Sequence, residues 1–208
     1  YTEKYGVVHP TKAGLKIPQI FDAAINKEVK AVWIIGEDVV QTDPNSAHVA
    51  KAMNALDLLV VQEIFLSETA KHADVVLPGT TFLEKDGTFT NTERRVQRVN
   101  RAAEPLPGTK PDGVIVTEMM QKLGSNQPIY DADEVLAEIA DVVPFFKGIT
   151  RERLGKMGLQ WPVKEDGTDT KILHEKEFKL GKGRIKFFDF KESNEIEKNK
   201  KDFPLILT

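Results

Sequence analysis

Cysteine is absent from this chain. Disulfides, thiolate metal sites and cysteine nucleophiles are therefore excluded together. The absence says nothing about compartment, since it fits a reducing or an oxidising one. Long hydrophobic runs are missing too: none approaches the ~20 residues that a membrane helix needs. Net charge is only −3, which gives no electrostatic case for nucleic acid or an anionic membrane. Neither the GxGxxG turn nor a Walker loop occurs, so the common nucleotide fingerprints are unmet. His9, His48, His72 and His174 are scattered without metal-ligand spacing and read as structural or exposed. No Ser-His-Asp order and no paired-carboxylate constellation argues for a reaction centre, so the sequence offers no catalytic residue and no metal ligand. No signal peptide opens the chain; Tyr1-Thr2-Glu3-Lys4 reads as a start in mid-protein, and localisation stays open because an export signal would lie upstream.

What is present suits a soluble globule of one large domain or two small ones: 208 residues, 40% apolar and 29% charged. Through about residue 125 helix and strand alternate. Ile17, Ile20, Phe21, Ala24 and Ile25 recur at helical spacing. Ala31-Val32-Trp33-Ile34-Ile35 is a continuous apolar run, as expected of a strand buried on both faces. Asp43-Pro44 predicts a helix start, with Val49, Met53 and Leu56 on the inner face. Leu58-Leu59-Val60-Val61 predicts a second buried strand. A short helix over Ser67 to His72 leads to a third, Asp74 to Leu77. Buried strands joined by helices imply an α/β fold with a parallel, Rossmann-like sheet and right-handed crossovers. Ala102 to Gly113, with Pro105, Pro107 and Pro111, reads as a linker, and Asp112 introduces a helix closed by Gly124.

Beyond residue 126 the texture changes to a helical and β-hairpin extension running to 208. Asp131 and Glu134 predict a capping box, and a shorter helix is expected from Thr150 to Met157. Phe178, Leu180, Gly181-Lys182-Gly183, Ile185 and Phe187 pattern as a β-hairpin. Ser193 to Asp202 reads as a solvated charged stretch, and Leu205-Ile206-Leu207 as a strand in which the chain stops.

In an open parallel sheet, ligands bind beyond the carboxyl ends of the strands. Here those ends are Gly36 to Asp43, Gln62-Glu63, and the loop from Pro78 to Asn91. Together they offer carboxylates, amides, hydroxyls and one cation, Lys85. This chemistry suits a nucleotide: a carboxylate accepts from a guanine's N1 and N2, and phosphates favour Lys, Thr and backbone amides. Plainer readings stand beside it. Asp38 can simply begin a turn, Asp112 can cap its helix, and Lys85-Asp86-Gly87 can be a tight turn. Thr90-Asn91 can satisfy loop backbone, and Arg94 and Arg95 can be surface or linker-packing groups.

The segments Ile34–Asp43 (IIGEDVVQTD), Leu58–Phe65 (LLVVQEIF) and Ser67–Arg95 (SETAKHADVVLPGTTFLEKDGTFTNTERR) resemble the molybdopterin oxidoreductase family. Gly158–Val163 (GLQWPV), Phe178–Phe187 (FKLGKGRIKF) and Phe203–Thr208 (FPLILT) resemble the large, alpha subunit of formate dehydrogenases in particular. The resemblance implies most of the second α/β domain of a larger enzyme, ahead of a carboxyl-terminal barrel. In the parent, bis-molybdopterin guanine dinucleotide holds molybdenum or tungsten, and formate is oxidised to carbon dioxide by two electrons. Iron–sulfur clusters carry the electrons onward. The rest of the polypeptide and iron–sulfur subunits are the implied partners. The chain by itself is expected to be inactive and to bind no metal. Rival readings are a nitrate reductase-like enzyme, the large subunit of an NADH dehydrogenase, or a non-catalytic nucleotide-binding module.

Residue by residue, the resemblance implies that Asp38 meets the guanosine end of one pterin dinucleotide, with Thr42 on the same loop. Gln62 and Glu63 match the second strand-end contact. Gly79 falls where the cofactor comes close to the backbone, and Lys85 on a position used in related nitrate reductases. Asp112 matches an acidic residue that binds the guanine. Two departures are visible: Val39 stands where many relatives have Pro, and Glu63 where many have Asp.

Overall fold

The computed structural model describes residues 1–178 and 180–191. The chain divides into two compact units, Tyr1–Lys171 and Ile172–Thr208. In the first unit the elements run α1 (Thr2–Tyr5), α2 (Ile17–Ile25), β1 (Ala31–Ile35), α3 (Val39–Thr42), α4 (Ser46–Ala55), β2 (Leu58–Glu63), β3 (Val75–Pro78), β4 (Gly87–Thr90), β5 (Arg95–Val99), α5 (Asp112–Lys122), α6 (Ala132–Val142), α7 (Arg151–Leu154) and β6 (Leu159–Gln160). Short 3-10 turns cover Thr69–His72, Phe82–Glu84 and Pro144–Phe146.

The three apolar runs form the expected parallel sheet, in the order β1-β2-β3. Ala31 pairs with Leu58 and Val60 with Val75, so all three carboxyl ends share one edge. Leu59 and Val61 of β2 point into a core made with Phe21 and Ala24 of α2 and with Val49, Ala52 and Met53 of α4. Burying each large side chain contributes roughly 1.5–3 kcal/mol, which makes this layer the main support of the strand ends. Burial on both faces does not hold. Ile35, Leu58, Val75 and Val76 are exposed, because α2 and α4 cover only the face that carries Leu59 and Val61. The apolar runs follow from strand propensity and one packed face.

A second sheet is antiparallel, in the order β4-β5-β6. Its hairpin turn is closed by Asn91, whose Oδ1 accepts from the amides of Glu93 (2.9 Å) and Arg95 (3.0 Å). The plainer reading of Thr90-Asn91 is the one observed. β6 returns from far along the chain, pairing Gln160 with Arg95. Around it Val96, Leu136, Ile149, Leu154 and Val163 make a separate core, with Trp161 packed against it. Arg94 binds this module together. Its guanidinium donates to the carbonyls of Trp161, Thr170 (3.1 Å) and Lys171 (3.1 Å) and lies over the Trp161 ring. It is a packing group, one of the alternatives its sequence context allows.

Several boundaries differ from expectation. The cap of α4 is Asn45, whose side chain accepts from the His48 amide; Asp43 instead accepts from the Asn45 amide at 2.9 Å, closing the turn ahead of the helix. Asp131 caps α6, accepting from Asp133 and Glu134; of the expected capping box this is the half observed. The 150–157 helix shrinks to α7, stopped by Gly155 at φ 51°. The hairpin expected over 178–187 is not formed among the described residues of the second unit. Leu180, Ile185 and Phe187 are almost fully exposed there, and a two-stranded hairpin with no surface to bury against is marginal in water. Among the described residues an antiparallel hairpin is formed by β4-β5 instead. Residues 193–202 and 205–207 lie outside the described residues.

Candidate cofactor-binding site

The carboxyl edge of the parallel sheet becomes a cleft because the linker after β5 returns to it. Lys110 donates its amide to Pro78 O at 3.2 Å, and a parallel bridge joins Gly79 to Lys110. This brings the first residue of α5, Asp112, over the ends of β2 and β3. A cleft of about 340 Å³ opens there, lined by Gln62, Glu63, Thr80, Phe82, Lys85 and Asp112, among others.

Asp112 sits at the centre of the polar wall. Gln62 Nε2 donates to its Oδ1 at 2.9 Å, and Lys85 Nζ donates to its Oδ2. The capping position of α5 belongs to Pro111, so the cap role open to Asp112 is not the one it takes; its carboxylate lines the cleft. Partial burial pushes this carboxyl up. The Lys85 ammonium and the Gln62 amide outweigh that and hold it below the ordinary carboxylate range. Lys85 also reaches Thr80 O at 3.3 Å. Its backbone is extended, at φ −144° and ψ 156°, so Lys85-Asp86-Gly87 leads straight into β4 and is not a tight turn.

Gly79 is buried beneath this wall. A Cβ there would stand 3.0 Å from Asp112 Oδ1, so any side chain presses on the carboxylate. Gln62 is fully buried. Its Oε1 has no hydrogen-bond partner, and neither has Thr80 Oγ1. Unsatisfied buried polar atoms are costly, and in a cleft wall they point to a missing polar ligand or water. Glu63 is half-buried and accepts from the Ile64 amide through Oε1 at 2.7 Å.

Five of the seven sequence candidates therefore come together: Gln62, Glu63, Gly79, Lys85 and Asp112. Asp38 and Thr42 do not join this wall. Asp38 Oδ1 accepts from the Thr69 amide (2.8 Å) and the Thr69 hydroxyl (2.6 Å). Burial opposes ionisation of Asp38, but the Thr69 bonds prevail and depress its pKa. Thr42 Oγ1 donates to Glu37 at 2.8 Å. The structure thus commits Asp38 to joining the β1 loop to the 69–72 turn.

Thr80, Phe82 and Phe89 were not singled out by sequence reasoning. The two phenylalanine rings meet edge to face at 6.1 Å beside the cleft. One signal was available: Thr81-Phe82-Leu83-Glu84 fits the capping-box pattern, and Glu84 Oε2 does accept from both the amide and the hydroxyl of Thr81. That box fixes the turn carrying Phe82. A roomier concavity of about 550 Å³ lies by α6 and α7. Most of its charges are already paired, Arg151 with Asp133, Asp141 with Lys4 and Lys147 with Glu165. No group of acidic or histidine side chains able to hold a metal ion occurs among the described residues, and no helix there is long and apolar enough to cross a membrane.

The molybdopterin oxidoreductase family model matches residues 8–122, which spans the parallel sheet and the whole cleft wall. The chain belongs to the molybdopterin oxidoreductase family. It is 44% identical over 199 residues to the F420-dependent formate dehydrogenase subunit alpha of Methanocaldococcus jannaschii, covering 94% of this chain and 29% of that protein. It is 40% identical to the F420-dependent formate dehydrogenase 1 subunit alpha of Methanococcus maripaludis, covering 100% of this chain and 31% of that protein. A putative formate dehydrogenase of Staphylococcus haemolyticus is 41% identical over 90% of the chain, at 19% of its own length. The chain therefore spans at most about three-tenths of the length of these relatives. Among solved structures, acetylene hydratase from Pelobacter acetylenicus superposes with a TM-score of 0.56 at 24% identity, over 73% of this chain and 22% of that one. At that identity it speaks for the fold alone. Membership of this family implies a molybdopterin cofactor.

Proposed function

We propose that this chain forms the α/β domain of a molybdenum- or tungsten-dependent formate dehydrogenase large subunit, and that its strand-end cleft holds the guanosine end of one molybdopterin guanine dinucleotide. The observation that carries the reading is the pair of unsatisfied buried polar atoms, Gln62 Oε1 and Thr80 Oγ1, in a wall that also presents Lys85 and Glu63. These groups fit the cofactor's polar end: acceptors for base or ribose donors, and a cation for phosphate. Gly79 leaves room for the Asp112 carboxylate. Asp38 and Thr42 follow the neighbouring strand β1, where the structure engages them with Thr69 and Glu37; a contact with the cofactor stays part of the proposal for them only through the family resemblance. When bound, the cofactor supplies the metal centre at which formate gives up two electrons; this chain contributes binding and orientation. The formate assignment is supported by the names of the relatives, and it carries with it the remaining domains of a longer polypeptide and iron–sulfur partner subunits.

Nucleotide titration tests the cleft. Isothermal calorimetry with GDP should give saturable binding that ADP does not reproduce, because adenine lacks the N1 and N2 donors of guanine. Absence of heat up to millimolar GDP, or equal binding of ADP, refutes the guanosine reading. For the formate assignment, the longer polypeptide should reduce an artificial dye with formate and not oxidise the dye with nitrate.

A further inference from the structure

An unguarded strand edge is rarely left bare, because it pairs with whatever strand it meets. The ladder between β1 and β2 shows which groups lie on such an edge. Leu58 donates its amide to Lys30 O at 3.1 Å, and Gly36 to Gln62 O at 2.9 Å. Backbone groups alternate sides along a strand, so Ala31, Trp33 and Ile35 turn their amides and carbonyls away from β2. Among the described residues no strand or side chain takes them up. Val32 and Ile34 pack into the core with α2 and α4. Trp33 and Ile35 therefore stand on the opposite face, where Ile35, Leu58 and Val75 are 47%, 42% and 42% exposed. β1 carries none of the devices that protect an edge. It has no charge and no proline, and its register with β2 runs unbroken from Ala31 to Ile35. The far edge of the sheet is treated differently: Lys110 donates to Pro78 O and bridges Gly79, so the returning linker closes the end of β3.

We propose that β1 is an internal strand of a wider sheet, and that a parallel strand from the rest of the longer polypeptide pairs with its outer edge. This rests on the reading of the chain as one domain of a larger subunit, since the chain spans at most about three-tenths of the length of its relatives. Topology selects the occupant. α4 joins β1 to β2 across one face, and α2 packs beside α4 on that face before leading into β1. A strand that enters β1 through α2 keeps the hand of the β1-α4-β2 crossover only on the outer side of β1. A second copy, pairing edge to edge across a two-fold axis, would instead meet β1 antiparallel. Parallel sheets are buried on both faces, and the remaining polypeptide brings strand and cover together.

Hydrogen–deuterium exchange resolved to single residues tests this on the longer polypeptide and on the 208-residue chain. In the longer polypeptide the amides of Trp33 and Ile35 should exchange about a hundredfold or more slower than in the chain alone. Those of Val32 and Ile34, turned toward β2 in both, should change far less. Ile35→Lys puts a charge on the open edge. It should leave the melting temperature of the chain alone unchanged and lower that of the longer polypeptide by several degrees. Trp33 and Ile35 amides that stay fast in the longer polypeptide overturn the proposal, as does an Ile35→Lys longer polypeptide as stable as its parent. Protection of both amides in the monomeric 208-residue chain overturns it too, and so does protection that appears only as that chain dimerises, which makes a second copy the occupant. A bare edge in a polypeptide that oxidises formate sinks the sheet completion alone. A protected edge in one that does not oxidise formate keeps it and refutes the formate assignment.

Discussion

Removing the Asp38 carboxylate should destabilise the chain through Thr69. Thr69 is fully buried, and its amide and hydroxyl both donate to Asp38 Oδ1, at 2.8 and 2.6 Å. In Asp38→Ala these two donors lose a charged acceptor inside the protein. Each buried donor left unpaired costs about 1–3 kcal/mol. The hydroxyl keeps one bond, since it accepts from the Val40 amide at 3.0 Å, which places the total at about 2–4 kcal/mol. With a urea m-value of about 2 kcal/mol/M, the midpoint should fall by about 1–2 M. Asp38→Asn keeps an acceptor oxygen and should lose only the charge assistance, about 1 kcal/mol. The pH dependence has a definite sign. The folded pKa of Asp38 is depressed, so its stabilisation is complete above the unfolded value of about 3.9 and is lost as pH falls through the folded value. The gap between wild type and Asp38→Asn should therefore be constant from pH 7 to 5 and close below about pH 4. Urea unfolding followed by far-ultraviolet circular dichroism measures both effects. An Asp38→Ala midpoint within 0.3 M of wild type, or a gap that widens in acid, would refute the reasoning.

Two further substitutions probe the second module. A Cβ on Gly148 would lie 1.7 Å from the Lys164 carbonyl oxygen and 2.8 Å from Val163 Cγ1, so Gly148→Ala must displace backbone and should cost more than about 3 kcal/mol; a thermal melt unchanged within a degree or two would show that the loop adapts freely. Arg94→Lys keeps the charge, but a single ammonium cannot span the carbonyls of Trp161, Thr170 and Lys171. Its melting temperature should fall by several degrees, and proteolysis should cut earlier within residues 161–171; an unchanged digestion pattern counts against the clasp.

The parallel sheet was legible because each strand is a continuous apolar run and successive runs are neighbours in space. The edge that carries the cleft followed from parallel topology, which pointed to Gln62, Glu63 and Lys85; Gly79 was named only through the family resemblance. Their mutual arrangement could not be read from the sequence. Lys85 and Asp112 lie 27 residues apart, and Gln62 and Asp112 lie 50 apart, joined only because the proline-rich linker returns along β3. Asp38 shows the opposite ambiguity: a polar residue after a strand reads the same whether it faces a ligand or a buried threonine, and the structure shows its bonds to Thr69. The two-residue strand β6 is too short to carry periodicity, and its partner β5 lies more than 60 positions earlier. Apolar alternation over 178–187 was read as a hairpin, yet alternation signals pairing only where there is something to pack against.

The division of the core into two clusters gives the chain a built-in pair of optical probes. It contains two tryptophans. Trp33 lies in the parallel sheet on β1, whereas Trp161 packs with Val96, Leu136 and their neighbours. Each indole therefore reports on a different body of packed side chains. Phenylalanine at one position leaves emission from the other alone, and the two single-tryptophan variants can be unfolded side by side. Coincident transitions mean that strand-end cleft and hairpin module melt as one cooperative block, and separated transitions mean that the cleft can stay folded after the module has let go.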